Sequence, residues 1–358
     1  MNEEAIRLGY VGGGFMAQNV HLPNFSTLEG CRLVALAEAR PRLALQVAAR
    51  YGIPTVYPSH LDLAADPSIE AVGVSADFAQ QGEIAADLLR AGKHVFMEKP
   101  MAVSVAQAER ILAAARDGNA RLMVAYMKRH DPGNELLRDT IQRWRDSGDM
   151  GRTLYARNHG FCGNWVAGLD TSRMIVTDEP MTRLSPRDLL PAWLPKEKER
   201  GYISYLQQYT HNVNLLRYLL DAGNDVHVRH VDLDTDGMTG LVGLDVGGVR
   251  SVIESGAIAY HAWDEHTQIY FEKGWIHAWA PPFFVKPAQS RVEVYEGGER
   301  HRYSYPIPEP QTVWPYREEA AFFVRALRSH EPFRSNGEDT LSDVRVFEDI
   351  YKRYLGLD

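Results

Sequence analysis

The sequence predicts an α/β protein with two domains, a doubly wound parallel sheet followed by a mainly antiparallel sheet. Two observations predict this fold class. Apolar strand-like runs alternate with helical patterns through the first 125 residues, whereas the second half has β-rich runs joined by glycine turns. A chain of 358 residues is long enough for two separate cores. We therefore assign residues 1–126 to a first domain and residues 127–358 to a second, with the C-terminal helix packing back on the first domain.

The first domain is predicted to contain five strands and four connecting helices. The strands are the apolar runs at residues 6–11, 33–37, 71–75, 94–97 and 122–125. The helices are predicted at residues 15–28, 42–51, 80–91 and 104–116. Ser104 takes the N-cap position of the last of these helices. Strands and helices that alternate in this way are typical of a parallel sheet covered on both faces.

The second domain is predicted to be built around an antiparallel sheet. Three short glycine-containing turns, at residues 247–248, 273–274 and 297–298, each separate two β-rich runs, as hairpin turns do. Helices are predicted at residues 134–145, 318–329 and 341–355. Residues 165–203 show no regular pattern. A substrate loop, a subunit arm and a plain surface excursion all remain open for that segment.

Composition and charge indicate a soluble globular protein. Hydrophobic residues make up 45% of the chain and charged residues 24%, which is ordinary for such proteins. The net charge of −8 argues against nucleic-acid binding and provides no basic patch for a membrane surface. Cys31 and Cys162 lack metal-type spacing and are predicted to be reduced core residues. We see no leader, no membrane-spanning run and no metal-ligand cluster, and expect a cytoplasmic protein without a metal site.

A glycine-rich turn after the first strand predicts a dinucleotide site. Gly12-Gly-Gly14-Phe-Met-Ala17 matches the pattern Gly-x-Gly-x-x-Ala between a strand and a helix, which is the context that this fingerprint requires. The first glycine allows the tight turn, and the second lets the backbone approach a pyrophosphate. The N-terminus of the following helix faces the anion. Phe15 and Met16 begin that helix and are assigned to the cofactor together with the glycines.

The acidic residue that ends the second strand favours one dinucleotide over the other. Glu38 follows Gly14 by 24 positions, close to where a Rossmann unit keeps the carboxylate that binds the adenosine ribose. The alternative is a solvated glutamate at a strand end. Arg40 stands where an arginine can accept a 2′-phosphate, but the Glu38 carboxylate would repel that phosphate. Residues 1–126 are therefore predicted to bind NAD, with NADP as the alternative.

Three further motifs accompany the glycine turn: Ala91-Gly-Lys-His-Val-x-x-Glu98-Lys99-Pro100, Met127-Lys-Arg-His-Asp-Pro132 and Tyr209-Thr-His211-Asn-Val-Asn. With these motifs the chain resembles, nearly from end to end, the family of glucose–fructose oxidoreductase, inositol dehydrogenase and rhizopine-catabolism (Gfo/Idh/MocA) proteins. The block that ends in Lys99-Pro100 is the most specific. The resemblance implies a Rossmann domain followed by an open-faced antiparallel sheet for substrate binding and oligomerisation. It also implies a homodimer or homotetramer.

The resemblance also implies roles for individual residues. Lys99 would lie beside the nicotinamide and donate a hydrogen bond to the reacting oxygen. His211 would move the hydroxyl proton, because an unperturbed imidazole has a pKa of about 6.5. The alternative for Lys99 is a surface lysine, which Pro100 and the position at the carboxyl end of the sheet disfavour. By spacing alone, His211 would be a core or capping residue. The cofactor-binding residues implied are Gly12, Gly14, Phe15, Met16, Glu38, Arg40, Ala76, Gln81, Glu98 and Lys99. The substrate-binding residues implied are Lys99, Lys128, Gln207 and His211.

Two positions depart from the family pattern. Ala76-Asp77-Phe78 and Gln81 stand where relatives often have Thr-Pro-Asn and a histidine, so the contacts under the nicotinamide ribose stay open. Gln207 stands four residues before His211, where many relatives have an aspartate. Ser204-x-x-Gln207 has the form of a capping box at a helix start. Gln207 alternatively shares one helical face with His211 and faces the substrate.

Three functions fit these residues. The leading one is an NAD-dependent dehydrogenase or reductase acting on a ring hydroxyl of a sugar, glycoside or cyclitol, because Lys99 and His211 supply the oxyanion donor and the proton shuttle. A glycosidase that oxidises the sugar transiently and eliminates the aglycone would use the same residues. A non-catalytic dinucleotide-binding sensor has no need of both residues. The substrate, the oxidised carbon and the direction are left open.

Overall fold

The computed structural model describes residues 5–78, 80–166, 169–181, 185–258 and 263–357. The chain forms two compact units. The first consists of Met1–Tyr126, Asp170–Ala192 and Tyr316–Val344. The second consists of Met127–Leu169, Trp193–Pro315 and Arg345–Asp358.

The first unit contains a six-stranded parallel sheet with the strand order β3-β2-β1-β4-β5-β6. Its strands are β1 Ile6–Val11, β2 Cys31–Ala37, β3 Thr55–Tyr57, β4 Ala71–Val74, β5 His94–Glu98 and β6 Leu122–Ala125. The order reverses between β1 and β4, and ligands of such sheets bind outside the carboxyl ends of the strands at this switch point. The doubly wound parallel sheet predicted from the sequence is confirmed. The sequence did not reveal β3, which is only three residues long.

Helices pack on both faces of this sheet. They are the π-helical turn Ala17–His21, α1 Leu22–Phe25, α2 Pro41–Tyr51, α3 His60–Ala64, α4 Gln81–Arg90 and α5 Val105–Asp117. Val95 and Met97 of β5 belong to one apolar core, whereas Phe96 belongs to the other. This alternation is what a strand that is buried on both faces requires. The Ser104 hydroxyl accepts a hydrogen bond from the N–H of Gln107, which confirms the predicted N-cap of α5.

The second unit contains an eight-stranded sheet with the strand order β14-β13-β12-β11-β7-β10-β9-β8. Only β7 and β10 pair in parallel; the other neighbours are antiparallel. Helix α6 packs against β12 and β13, and helix α7 packs against β7 and β10. The helices are α6 Pro132–Ser147 and α7 Glu199–Leu219, and the strands are β7 Thr153–Cys162, β8 Val226–Leu233, β9 Gly240–Val246, β10 Val249–Ala257, β11 Trp263–Phe271, β12 Gly274–Trp279, β13 Arg291–Glu296 and β14 Arg302–Ser304. Near the C-terminus lie α8 Pro315–Ser329 and α9 Gly337–Tyr354.

The second sheet confirms the predicted hairpins but contains two strands that the sequence pattern did not predict. The unpredicted strands are β7 and β8. The register of β8 shifts between Val228 and His230, which breaks the strict alternation that would identify an edge strand. The predicted capping box is wrong. Helix α7 begins at Glu199, so Ser204 lies inside the helix and does not cap its start.

The sequence analysis also made predictions about membrane-spanning helices, metal ligands, the two cysteines and the irregular segment 165–203. In the part that the structure describes, no helix is long and apolar enough to cross a membrane. Within the same described ranges, no group of three or more His, Cys, Asp or Glu side chains is arranged to hold a metal ion. Cys31 and Cys162 are unpaired thiols. Of the irregular segment 165–203, residues 167–168 and 182–184 lie outside the described residues.

Candidate functional site

The glycine turn between β1 and the next helix has the shape that a pyrophosphate site needs. Gly12 has φ +96°, and a Cβ atom there would lie 2.2 Å from the carbonyl oxygen of Ser75, so only glycine fits. A Cβ atom on Gly14 would meet no atom within 4 Å, which leaves open the space that a phosphate would enter. The turn therefore fits a dinucleotide. Three other residues predicted to contact the cofactor are partly exposed: Phe15, Met16 and Ala76.

Glu38 stands at the carboxyl end of β2 with its carboxylate turned toward the glycine turn. It accepts hydrogen bonds from the N–H of Gly13 (2.8 Å) and from Arg40 Nε (2.8 Å) and Nη2 (3.0 Å). Burial alone would raise the pKa of Glu38, but the Arg40 and Gly13 donors outweigh it and hold the pKa below its usual value. With 8% exposure, Glu38 is a buried, ionised carboxylate and not a solvated strand-end residue.

Lys99 directly follows β5, at the carboxyl end of the parallel sheet. Its side chain is partly buried, and the Lys99–Pro100 peptide bond is cis. Burial lowers the pKa of the Lys99 ammonium below its ordinary value, while the neighbouring carboxyl groups of Glu98 and Glu319 oppose that change. A poorly hydrated ammonium at this edge is a strong hydrogen-bond donor. This environment differs from that of an ordinary surface lysine.

Glu98 holds the end of β5 in place beneath Lys99. Its carboxylate oxygen Oε1 lies 2.8 Å from Nε2 of His21, and Oε2 accepts a hydrogen bond from the Lys99 N–H at 3.2 Å. The side-chain amide of Gln81 donates to the Glu98 carbonyl oxygen at 2.6 Å. His21 is fully buried in the π-helical turn, a distortion that often marks a functional site. Glu98 and Gln81 thus position Lys99, and their contact with the cofactor stays a prediction.

Glu319 is a second buried acid near Lys99 that the sequence analysis did not identify. On α8, Phe323 packs edge-on against Phe96 of β5, with ring centroids 5.4 Å apart. Glu319 lies one helical turn before Phe323, and Glu98 lies two residues after Phe96, on the same face of the strand. No described residue gives either carboxyl oxygen of Glu319 a hydrogen bond. Burial, reinforced by Glu98, raises the pKa of Glu319 well above its usual value, which favours the protonated, neutral acid.

We expect Glu319→Gln to flatten the fall in stability at rising pH. In the folded protein Glu319 keeps its proton above pH 4.5, its ordinary pKa, whereas the unfolded chain releases it there. The free energy of unfolding therefore falls as pH rises from about 5 toward the raised pKa of Glu319. Denaturant unfolding measured across this range should show a smaller slope of unfolding free energy against pH in the variant. The neighbouring, partly exposed Glu318 gives the control Glu318→Gln, and equal slopes in wild type and Glu319→Gln would contradict the expectation.

In the second unit, the side chains of His211, Lys128 and Trp263 surround the ring of Phe283. His211 on α7 is 4% exposed, and its ring centroid lies 5.5 Å from that of Phe283. Lys128 Nζ lies 5.3 Å from the centroid of the same ring, and Trp263 packs on it at 4.6 Å. Phe283 is itself partly exposed. The structure thus brings together two of the residues predicted to bind substrate, Lys128 and His211.

Lys128 belongs to a buried polar network that contains an acid missed by the sequence analysis. Lys128 Nζ contacts Oε1 of Glu265, and both side chains are buried. The side-chain amide of Asn212 donates to Asn158 and reaches the same Glu265 oxygen at 3.5 Å. Glu265 Oε2 is buried and accepts no hydrogen bond from a described residue. The sequence feature that could have identified Glu265 is its place in β11, where buried and less buried residues alternate and Glu265 falls on the buried face.

Gln207 differs from these buried residues in its exposure. It is exposed on α7, one turn before the buried His211. One turn after His211, Asn214 is buried and its side-chain oxygen accepts a hydrogen bond from Arg129 Nε at 2.7 Å. His211 and Asn214, on the same helical face, are buried, whereas Gln207 is exposed. The contact of Gln207 with substrate stays a prediction.

These features define an oxidoreductase that uses a nicotinamide dinucleotide. A family model described as an oxidoreductase family with an NAD-binding Rossmann fold matches residues 6–126. A myo-inositol 2-dehydrogenase of Thermotoga maritima is 23% identical over 345 residues, covering 93% of this chain and 92% of that protein. An inositol 2-dehydrogenase of Pseudomonas fluorescens is 33% identical over 153 residues, covering 42% and 44%. The Gfo/Idh/MocA family model thus matches the first domain of the chain, and NAD or NADP is the cofactor that this Rossmann fold binds.

Solved structures with low sequence identity share the whole fold. KijD10, a 3-ketoreductase from Actinomadura kijaniata solved with NADP and TDP-benzene, matches with a TM-score of 0.71 at 20% identity, covering 98% of each chain. An oxidoreductase from Agrobacterium radiobacter solved with NAD⁺ and L-tartaric acid matches with a TM-score of 0.69 at 15% identity, covering 99% of this chain and 97% of that one. The similarity confirms the predicted combination of a Rossmann sheet and a mainly antiparallel sheet.

Proposed function

We propose that the protein is an NAD-dependent dehydrogenase or reductase that acts on a ring secondary alcohol or ketone of a sugar, glycoside or cyclitol. The observation that carries this proposal is Lys99. Its partly buried ammonium stands at the carboxyl end of the cofactor-binding sheet, on a strand end held by Glu98. The relative that matches along 93% of the chain is named a myo-inositol 2-dehydrogenase, which makes cyclitols the first substrates to test.

Two residues do the chemistry of the proposed reaction. When bound, the nicotinamide supplies the hydride acceptor. In the oxidation, the carbinol C–H bond gives up its hydrogen with the electron pair, and the hydroxyl proton passes to the imidazole of His211. Lys99 donates a hydrogen bond to the reacting oxygen and stabilises its developing negative charge. Reduction of the ketone follows the same steps in reverse.

Polyhydroxylated rings need both donors and acceptors, and the second unit provides them. Lys128 supplies an ammonium donor, and the buried Oε2 of Glu265 supplies an acceptor. Phe283 offers a flat apolar face beside them. We assign Lys128, Glu265 and His211 to substrate binding, and we keep Gln207 in this group as a residue at its edge.

The remaining assignments belong to the same proposal. Residues 1–126 form the nucleotide-binding part of the first unit, and residues 127–358 provide substrate binding and oligomerisation, apart from the segments Asp170–Ala192 and Tyr316–Val344 that belong to the first unit. The protein works as a homodimer or homotetramer in the cytoplasm. Light scattering on the purified protein gives the oligomeric state directly.

We expect NAD to be the preferred cofactor. The ionised carboxylate of Glu38 binds the ribose hydroxyls and repels a 2′-phosphate. Wild-type kcat/KM should therefore be at least about tenfold higher with NAD than with NADP, the effect of one charge-assisted contact. Glu38→Gln should narrow that ratio. Turnover with NADP as efficient as with NAD would reject this assignment and transfer the leading role to Arg40.

A substrate screen tests the proposed function as a whole. Purified protein with NAD is offered inositols, free sugars and glycosides, and the formation of NADH and of product is followed together. We expect at least one inositol or sugar to give NADH and ketone in equal amounts. Release of an aglycone without net NADH would instead establish the glycosidase alternative, and tight dinucleotide binding without any turnover would establish the sensor.

A further inference from the structure

The segment 173–179, from the irregular part of the chain, is attached to the cofactor-binding features of the first unit. The side-chain amide of Gln18 donates to the Ile175 carbonyl at 2.9 Å and accepts from the Ile175 N–H at 2.8 Å. The same amide nitrogen donates to the carbonyl of Gly13 in the glycine turn at 2.7 Å. Arg50 of α2 donates to the carbonyl of Arg173 at 2.5 Å. Segment 173–179 is thus anchored on the glycine turn and on α2.

Glu179, at the end of this segment, binds the N-terminus of α2. Its Oε1 accepts the N–H of Arg42 at 2.9 Å, and its Oε2 accepts the N–H of Leu43 at 3.0 Å. The hydroxyl of Thr177 donates to Oε2 at 2.9 Å, which fixes the direction of the carboxylate. The Glu179 side chain is only 12% exposed. A partly buried carboxylate thus covers the N–H groups that begin the helix.

Helix α2 contains no group of its own that could do this. Its N-cap is Arg40, whose side chain makes no capping hydrogen bond, and its first turn contains no acidic residue. Pro41 occupies the first helical position and has no N–H, so the next two N–H groups are the donors available for an anion. In a Rossmann unit the start of this helix follows directly after the residue that binds the adenosine ribose. Helix N-termini are common phosphate sites.

The surrounding charges are already balanced by the chain itself. The guanidinium of Arg40 is paired with Glu38 through two hydrogen bonds and is also attracted by Glu179, and both acids raise its pKa. The guanidinium of Arg42 pairs with Asp178 and lies 3.8 Å from Glu179. Both arginines that could neutralise a phosphate are therefore engaged by carboxylates.

We infer that Glu179 is a specificity-determining residue that excludes NADP, because its carboxylate occupies the α2 N-terminus where a 2′-phosphate would otherwise bind. In this arrangement Glu38 binds the ribose, and Glu179 accepts hydrogen bonds from the nearby N–H groups of Arg42 and Leu43. The inference deepens the proposed function and rests on its assignment of NAD. It gives segment 173–179 a role in cofactor choice.

The test measures the binding of dinucleotides, so it does not depend on knowing the substrate. Affinities of the purified full-length protein for NADH and NADPH are determined by calorimetry for wild type and Glu179→Ala. We expect Glu179→Ala to bind NADPH about ten- to a hundredfold more tightly than wild type, since two N–H donors and one repulsive charge are involved. Its affinity for NADH should stay within about threefold of wild type. Adenosine 2′,5′-bisphosphate, compared with AMP, should show the same selective gain.

Asp178→Ala is the matched control. Asp178 is the adjacent acid and pairs with the same Arg42, but its side chain is 84% exposed and it accepts no N–H of α2 among the described contacts. An equal gain in NADPH affinity for both variants would overturn the inference in favour of general charge repulsion. Equal weakening of NADH and NADPH binding in Glu179→Ala would show that Glu179 only caps α2 and does not select the cofactor, which would also overturn the inference. If wild type binds neither dinucleotide, the proposed function fails; if wild type binds both equally, the exclusion of NADP by Glu179 fails while the dehydrogenase assignment stands.

Discussion

Replacing Lys99 by alanine should lower kcat by about a hundredfold or more, the scale of losing one preorganised donor to a developing oxyanion. The structure supports a chemical role because the ammonium is partly buried at the carboxyl end of the parallel sheet, where ligands bind. NADH affinity should change by less than about tenfold, since the glycine turn and Glu38 are untouched. Steady-state kinetics with the substrate found in the screen, together with calorimetry, separate the two effects.

Lys93 provides a matched control for this variant. It is a buried lysine that directly precedes the other end of β5, where its ammonium donates to the carbonyl oxygens of Asp66 (2.6 Å) and Ile69 (2.9 Å). We expect Lys93→Ala to lower the melting temperature and to leave kcat within a few-fold of wild type. If Lys99→Ala retains near-normal turnover, or if both variants lose activity in parallel with stability, Lys99 has no catalytic role.

Replacing His211 by alanine should lower kcat by about 10²–10⁴-fold, the usual contribution of a positioned general base or acid. The imidazole is the group proposed to take the hydroxyl proton, and no other histidine was assigned to the reaction. The acidic limb of the pH profile for oxidation should disappear with the residue, because protonation of the imidazole is what removes the base at low pH. Profiles of kcat against pH for wild type and variant check both expectations.

His277 is the corresponding control for His211. It is likewise buried in the second unit, where its Nδ1 lies 3.0 Å from the side-chain amide of Gln268. Burial lowers the pKa of His277 to about 3, so it stays neutral over the working range. We expect His277→Ala to keep the acidic limb. An unchanged acidic limb in a folded His211→Ala protein would assign the base to another residue.

Local sequence pattern was sufficient to predict five of the six strands of the first sheet and the hairpins of the second. The glycine turn, the strand that ends in Glu38 and the strand that precedes Lys99 are each defined by neighbours in sequence, and their spacing identifies them. Strand β8 was not predicted, because a register shift breaks the alternation of its residues. The capping box failed because helix α7 begins six residues closer to the N-terminus than the motif suggested, with Lys198 and not Ser204 at the N-cap.

The acids of the candidate site were harder to predict, because their roles depend on distant partners. Glu179 meets the first turn of α2 across 137 residues of sequence, and Glu265 meets Lys128 across the same separation. Glu319 is brought near β5 by the packing of Phe323 on Phe96. A single acid in a sequence gives no sign of its burial. The inward positions of Glu265 in its strand and Glu319 in its helix were the available signals.

The most direct measurement follows the hydrogen atom that leaves the substrate. The cyclitol or sugar found in the screen is prepared with deuterium on the reacting carbinol carbon and is oxidised by the purified protein with NAD. We expect mass spectrometry to find one deuterium atom in the reduced nicotinamide and a ketone as the other product. Deuterium that appears in the solvent, or a product formed while the nicotinamide stays unlabelled, would contradict hydride transfer as the reaction of this protein.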